Sequence, residues 1–120
     1  MRHRKQGRQL SRVRKVRKAL IKTLLGSFFL HGKIKTTEAK AREIRPMIDR
    51  LVVKAKKATD PVKKVAVIRD LQKYLPKIAV TKLVNEVASQ VGDRKSGFAR
   101  MIKLPQRKSD GAAIAVIELV

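Results

Sequence analysis

Residues 10–32 read LSRVRKVRKALIKTLLGSFFLHG, and their spacing frames the rest of the chain. Leu10, Val13, Val16, Leu20, Leu24 and Phe28 recur every three or four positions, and Ile21 and Leu25 widen the stripe. That period predicts an amphipathic helix beginning at Leu10 and stopping at Gly32, with the stripe as its core face. Arg12, Arg14, Lys15, Arg17, Lys18 and Lys22 occupy the other faces. On one isolated helix they would be a solvated surface. Here nothing balances them, because the first acid in the chain is Glu38. A surface of one sign over 37 residues suits a polyanion better.

Upstream lies MRHRKQGRQ, residues 1–9, with no apolar period apart from Met1. It reads as an extended basic arm. Residues 10–120 read as a single globular domain, since 120 residues is one domain's length and 43% apolar content supports a core. The formal net charge is +22, from 31 Lys and Arg against 9 Asp and Glu. Residues 1–37 carry 12 of those bases and no acid, so more than half the net charge lies in under a third of the chain. Such self-repulsion opposes folding. A chain that folds despite it works against a large polyanion, nucleic acid first and anionic membrane second. The basic start followed by ALIKTLLGSFFL also has the outline of a secretory leader, but Lys22 interrupts it and no small-residue cleavage site follows Leu30. No run approaches the roughly 18 uninterrupted apolar residues of a membrane span.

Beyond Gly32, KIKT reads as a short edge strand whose lysines discourage aggregation. Thr36 or Thr37 offers an N-cap for a second helix with Ile44, Ile48, Leu51, Val52 and Ala55 on one face, and Pro46 is expected to kink it rather than break it. Asp60-Pro61 starts a third helix with Val62, Val65, Ala66, Ile68, Leu71 and Leu75 facing inward. Pro76 separates it from a fourth, carrying Val80, Leu83, Val84, Val87 and Val91 and ending at Gly92. FARMIKL and AAIAVIELV read as two strands of a hairpin turning at Asp110-Gly111. The expected fold class is α+β: about four helices on a small mixed sheet made of one short strand and the C-terminal hairpin.

No group is placed for catalysis. The acids are scattered, no nucleophile-elbow or phosphate-loop motif occurs, and there is no cysteine. His31 reads as a helix-end residue and His3 as part of the arm, so no metal and no cofactor are expected. The four aromatics, Phe28, Phe29, Tyr74 and Phe98, are too few for a base-stacking platform, which favours recognition of the phosphate backbone. A second basic cluster, Arg94, Lys95, Arg100, Lys103, Arg107 and Lys108, lies on and around the hairpin. Arginine's planar fork suits bidentate phosphate contact, and the arm is arginine-rich.

Four stretches resemble one known family: MRHRKQGRQLSR at the start, GSFFLHGKIKTTEAKAREIR from Gly26, DRKSGFARMIKL from Asp93 and the ending SDGAAIAVIELV. They resemble the bacterial large-subunit ribosomal proteins numbered seventeen, across essentially the whole chain. The chain departs from that family's pattern at Ser96, Phe98, Ala99 and Pro46. The resemblance implies an α/β sandwich and a non-enzymatic structural constituent of the cytoplasmic ribosome. It implies 23S rRNA as partner, a place near the peptide tunnel exit, neighbouring large-subunit proteins and no small-molecule substrate. By that similarity Arg2, His3, Arg4, Gly7, Arg8 and Arg12 enter rRNA, with Gly7 allowing close backbone approach. Charge adds Lys5, Arg14, Lys15, Arg17, Lys18, Lys33 and Lys35, together with the hairpin cluster, to the expected rRNA-binding set. The rival reading is a nucleoid-type DNA-binding protein. A basic amphipathic membrane binder comes third.

Overall fold

The computed structural model describes residues 3, 4 and 6–120. Helix α1 spans Arg14–His31, beginning at Arg14 rather than Leu10. Leu10 and Ser11 adopt left-handed backbone, with φ of 52° and 55°, and turn the chain before the helix can form. Val13 then caps α1 without a side-chain acceptor, and no acid lies in the first turn. A longer helix would add Arg12 to a dipole end already crowded by Arg14 and Lys15.

Burial divides α1 at the same place. Leu25, Phe28 and Phe29 are buried, and the two phenyl rings meet edge to face at 5.2 Å. Val13 and Val16 are 71% and 50% exposed, so the first half of the expected core stripe is not core. Further along α1, Ile21, Leu24 and Leu30 pack partly against the cluster. At Gly26 a Cβ would meet Pro76 Cγ and Cδ at 2.8 Å, so only glycine permits this approach. Gly32 closes α1 in the left-handed conformation, its N–H donating to the Phe28 carbonyl. Lys82 Nζ donates to the Leu30 carbonyl at 2.5 Å, occupying one of the helix-end acceptors.

Strand β1 is Lys33–Thr37, and α2 follows as Glu38–Lys56. Pro46 lies inside α2, and the helix is continuous through it. An internal proline costs about 3 kcal/mol. Burial of Ile44, Ile48, Leu51 and Val52 contributes about 1.5–3 kcal/mol each and outweighs it. Thr37 sits at the cap position, but its side chain accepts no N–H; the Glu38 N–H donates instead to the Ala113 carbonyl. A 3-10 turn, Lys57–Thr59, leads to α3, Pro61–Leu71. Asp60 caps α3 through its carboxylate, which accepts from the Val62 N–H at 3.0 Å. The expected inward face of α3 is only partly realised. Val67, Ile68 and Leu71 reach the core, whereas Val62 and Val65 are 87% and 57% exposed, because the first half of the helix extends past its neighbours.

Helix α4 starts as Lys77–Lys82, widens to a π-helical stretch, Leu83–Val87, and closes with Ala88–Gln90. Val80, Leu83 and Val87 are buried, Val84 and Val91 pack against them, and Gly92 turns left-handed beyond the end. Strands β2, Ala99–Leu104, and β3, Ile114–Leu119, complete a sheet ordered β1-β3-β2. Both pairings are antiparallel, so the sheet is not mixed as expected. The cause is that β3, the most apolar strand, lies in the middle. β1 and β2 run the same way but never pair, and the lysines of β1 lie on an edge. The result is the α+β architecture read from the sequence, with α2 as its central helix.

Candidate nucleic-acid interface

The basic residues fall into two groups that differ in what surrounds them. In α1, Arg14, Lys18 and Lys22 follow at intervals of four and share one face, with Lys15 and Arg17 beside them. None of these five forms an ion pair, and all but the half-buried Arg17 are exposed. Like charges at this spacing repel, and no ion pair among the described residues relieves them. His3, Arg4, Gly7 and Arg8 of the arm, and Arg12 just beyond it, are also exposed. Arg2 and Lys5 lie outside the described residues.

The described part of the arm is tied to α2 through Glu43. The Arg8 N–H donates to Glu43 Oε2 at 3.3 Å, and Gly7 backs onto the same carboxylate, where a Cβ would come within 3.0 Å of Oε1. Gly7, with φ of 95°, therefore permits a close approach to α2 in the free chain. Arg12 turns back on its own segment, donating to the Leu10 carbonyl at 2.5 Å.

The hairpin group is not one patch. Arg100 and Lys103 lie three positions apart on β2 and so point to opposite faces. Arg100 Nε donates to Glu118 Oε1 at 2.6 Å across the sheet, and Lys103 approaches Glu38 at 3.7 Å. Arg107 grips Asp110 with two hydrogen bonds of 2.9 and 2.6 Å. That hydrogen bonding, helped by the Ala112 N–H, holds the Asp110 carboxyl down at about 2 from 3.8, and it raises the Arg107 guanidinium in turn. Arg94 donates to the Gly97 carbonyl at 3.3 Å, while Lys95 and Lys108 are exposed and without ion pairs. Lys33 and Lys35 share the solvent face of the sheet with Arg100. Much of the hairpin's positive charge is thus neutralised internally, and that of α1 is not.

A third basic region escaped the sequence reading. A groove of about 920 Å³ opens between α1 and α2, closed at one end by the segment after α3. Arg17, Lys18 and Lys22 line one side, and Arg50, Lys54 and Lys57 line the other. The spacing of Arg50, Lys54 and Lys57, four then three, marked one helix face and could have drawn attention to it. Lys54 pairs with Asp70 at 2.9 Å, and this hydrogen bond holds the Asp70 carboxyl below its ordinary range.

Among the described residues no three His, Cys, Asp or Glu side chains are grouped to hold a metal, and no helix is long and apolar enough to cross a membrane. The fold and its charge define a basic α+β domain with exposed, unpaired cations concentrated on a helix and its leading segment. The comparisons with known proteins agree with that class. The family model for ribosomal protein L17 matches residues 20–120. The large ribosomal subunit protein bL17 of Rubrobacter xylanophilus is 42% identical over the whole of this chain and 96% of its own length. That of Petrotoga mobilis is 38% identical over the whole chain and 97% of its length. In Salinibacter ruber the protein of the same name is 41% identical, and the chain spans 59% of that relative's length. The chain belongs to the ribosomal protein L17 family, a structural and non-enzymatic family.

Proposed function

We propose that the chain is a structural constituent of the large ribosomal subunit that binds 23S rRNA through its arm and α1, near the exit of the peptide tunnel and beside other large-subunit proteins. One observation carries this reading: among the described residues the basic face of α1 forms no ion pair, and its N-terminus adds a further positive end. RNA phosphate supplies the missing negative charge where the protein does not. RNA's deep major groove is closed to side chains, so recognition rests on backbone shape more than on base sequence. The candidate contacts are Arg2, His3, Arg4, Lys5, Gly7, Arg8, Arg12, Arg14, Lys15, Arg17, Lys18, Lys33 and Lys35, with the hairpin cations contributing less. The division into an arm, 1–9, and a domain, 10–120, is part of the proposal. The core residues of α1 hold the basic half out from the domain, and the arm continues it into RNA.

The test is deletion of residues 1–9 in cells that depend on this gene. The truncated protein is expected to fold, with an unchanged far-ultraviolet spectrum, and to be severely depleted from large subunits on a high-salt gradient. Full incorporation would remove the arm from the account. Tight binding to duplex DNA with no preference for rRNA would favour a nucleoid protein instead.

A further inference from the structure

We propose that the groove between α1 and α2 seats an unpaired stretch of RNA, with one base on its apolar floor against Tyr74 and the flanking phosphates on its rim. This deepens the rRNA-binding reading and rests on it.

The floor is apolar. Ile21 and Leu25 from α1 meet Met47 and Leu51 from α2, and Tyr74 stands at one end, 45% exposed. The Lys54 ammonium lies 4.7 Å from the Tyr74 ring centroid while paired to Asp70, which fixes the ring against α2. The rim is cationic. Arg17, Lys18, Lys22, Arg50 and Lys57 line it, and among the described residues none of them forms an ion pair.

Two acids border the groove, and both are engaged in holding the fold. Glu43 accepts from the Arg8 N–H, and Asp49 accepts from the Phe98 N–H at 3.1 Å. Seven cations line the groove (Arg17, Lys18, Lys22, Arg50, Lys54, Lys57 and Lys73) against those two carboxylates, so an incoming group meets a net excess of positive charge around an apolar floor. A nucleotide splayed out of an RNA loop has the complementary order: a flat apolar base between charged phosphates. A paired duplex has no free base to place on the floor. At about 920 Å³ the space lies toward the upper end of the roughly 300–1,000 Å³ typical of ligand sites.

The chain carries its own probe. Tyr74 is the only tyrosine, and there is no tryptophan, so ultraviolet emission of the full-length protein reports this groove. A short single-stranded oligoadenylate, titrated with correction for its absorbance, is expected to quench Tyr74 emission saturably and to release it at high salt. R50E/K57E should weaken oligoadenylate binding at least tenfold. K63E/K64E, the same charge change on exposed positions of α3, should weaken it less than threefold. Filter retention of 23S rRNA is measured in parallel. If rRNA is retained while Tyr74 emission does not change, or while the two variants lose affinity equally, the groove is overturned and the broader reading stands. If a polyglutamate peptide quenches Tyr74 and oligoadenylate does not, the occupant is an acidic protein segment and the proposal falls. Failure of the wild-type chain to retain rRNA would instead defeat the reading beneath it.

Discussion

The basic residues of α1 and those of the C-terminal hairpin are alike in type and differ in company. Arg14, Lys18 and Lys22 share a helix face and form no ion pair among the described residues, whereas Arg100, Lys103 and Arg107 each have an acid partner: Glu118, Glu38 and Asp110. A count of charges treats the two regions as equal. The fold distinguishes them, and on the proposed reading the charge left after internal pairing is the quantity that matters to an outside polyanion. A paired arginine must give up its carboxylate before it can contact phosphate, and each exposed pair holds it by about 0–1 kcal/mol.

Substitutions can press on that difference from several sides. The largest effect should come from detaching the basic half of α1 from its support. Phe28→Ala removes a fully buried ring and should cost about 3–5 kcal/mol in a urea denaturation curve. Val16→Ala, at a half-exposed position of the same helix, should stay within about 0.5 kcal/mol. Equal costs would mean that the two halves of α1 are packed alike, against the burial described above.

Next in size is the binding effect of the exposed face. R14A/K18A/K22A should reduce 23S rRNA affinity by about a hundredfold at physiological salt in filter binding. Its thermal midpoint should hold or rise, because each like-charge neighbour removed relieves about 0.2–0.5 kcal/mol of repulsion. R100A/K103A/R107A should reduce affinity by less than about fivefold, since those cations are engaged within the fold.

The smallest effect concerns the hairpin loop alone. Asp110 has its carboxyl lowered from 3.8 to about 2 by the Arg107 side chain and the Ala112 N–H. A depressed carboxylate contributes stability that is present above its unfolded value and lost as pH falls. The loop should therefore keep this contribution above about pH 4 and lose it as pH approaches 2. A carboxyl-carbon NMR titration should find Asp110 near 2 in the wild type and back toward the ordinary carboxylate range in Arg107→Ala. Titration near 4 in both proteins would show that the Arg107 grip is absent in solution.

Much of this was legible in the residues, and the exceptions share a cause. Asp60-Pro61 announced α3, Gly32 ended α1, KIKT became an edge strand, and Asp110-Gly111 marked the hairpin turn, because each is a local signal that needs no distant partner. What failed depended on what lies across from a residue. Val13 and Val16 continue the period of α1, yet no neighbouring element covers that end, so a correct period gave a wrong core, and Leu10 leaves the helix altogether. Val62 and Val65 failed in the same way on α3. Pairing of Arg100 with Glu118 requires the register of β2 on β3, which no spacing in the sequence reveals. The groove is harder still, since it exists only because α1 and α2 do not close along their whole length. Its cations were visible on α2 as a stripe, but a stripe does not say that a second helix faces it.

The central claim is that uncompensated charge, not total charge, engages the RNA. It is tested most directly by the salt dependence of 23S rRNA binding for the two triple variants, compared with wild type in one series of potassium concentrations. Each phosphate contact contributes about 0.7–0.9 to the log–log slope. The account predicts that R14A/K18A/K22A flattens the slope by about 2–3, while R100A/K103A/R107A flattens it by less than about 1. Equal flattening by the two, or a larger loss from the hairpin, would contradict it.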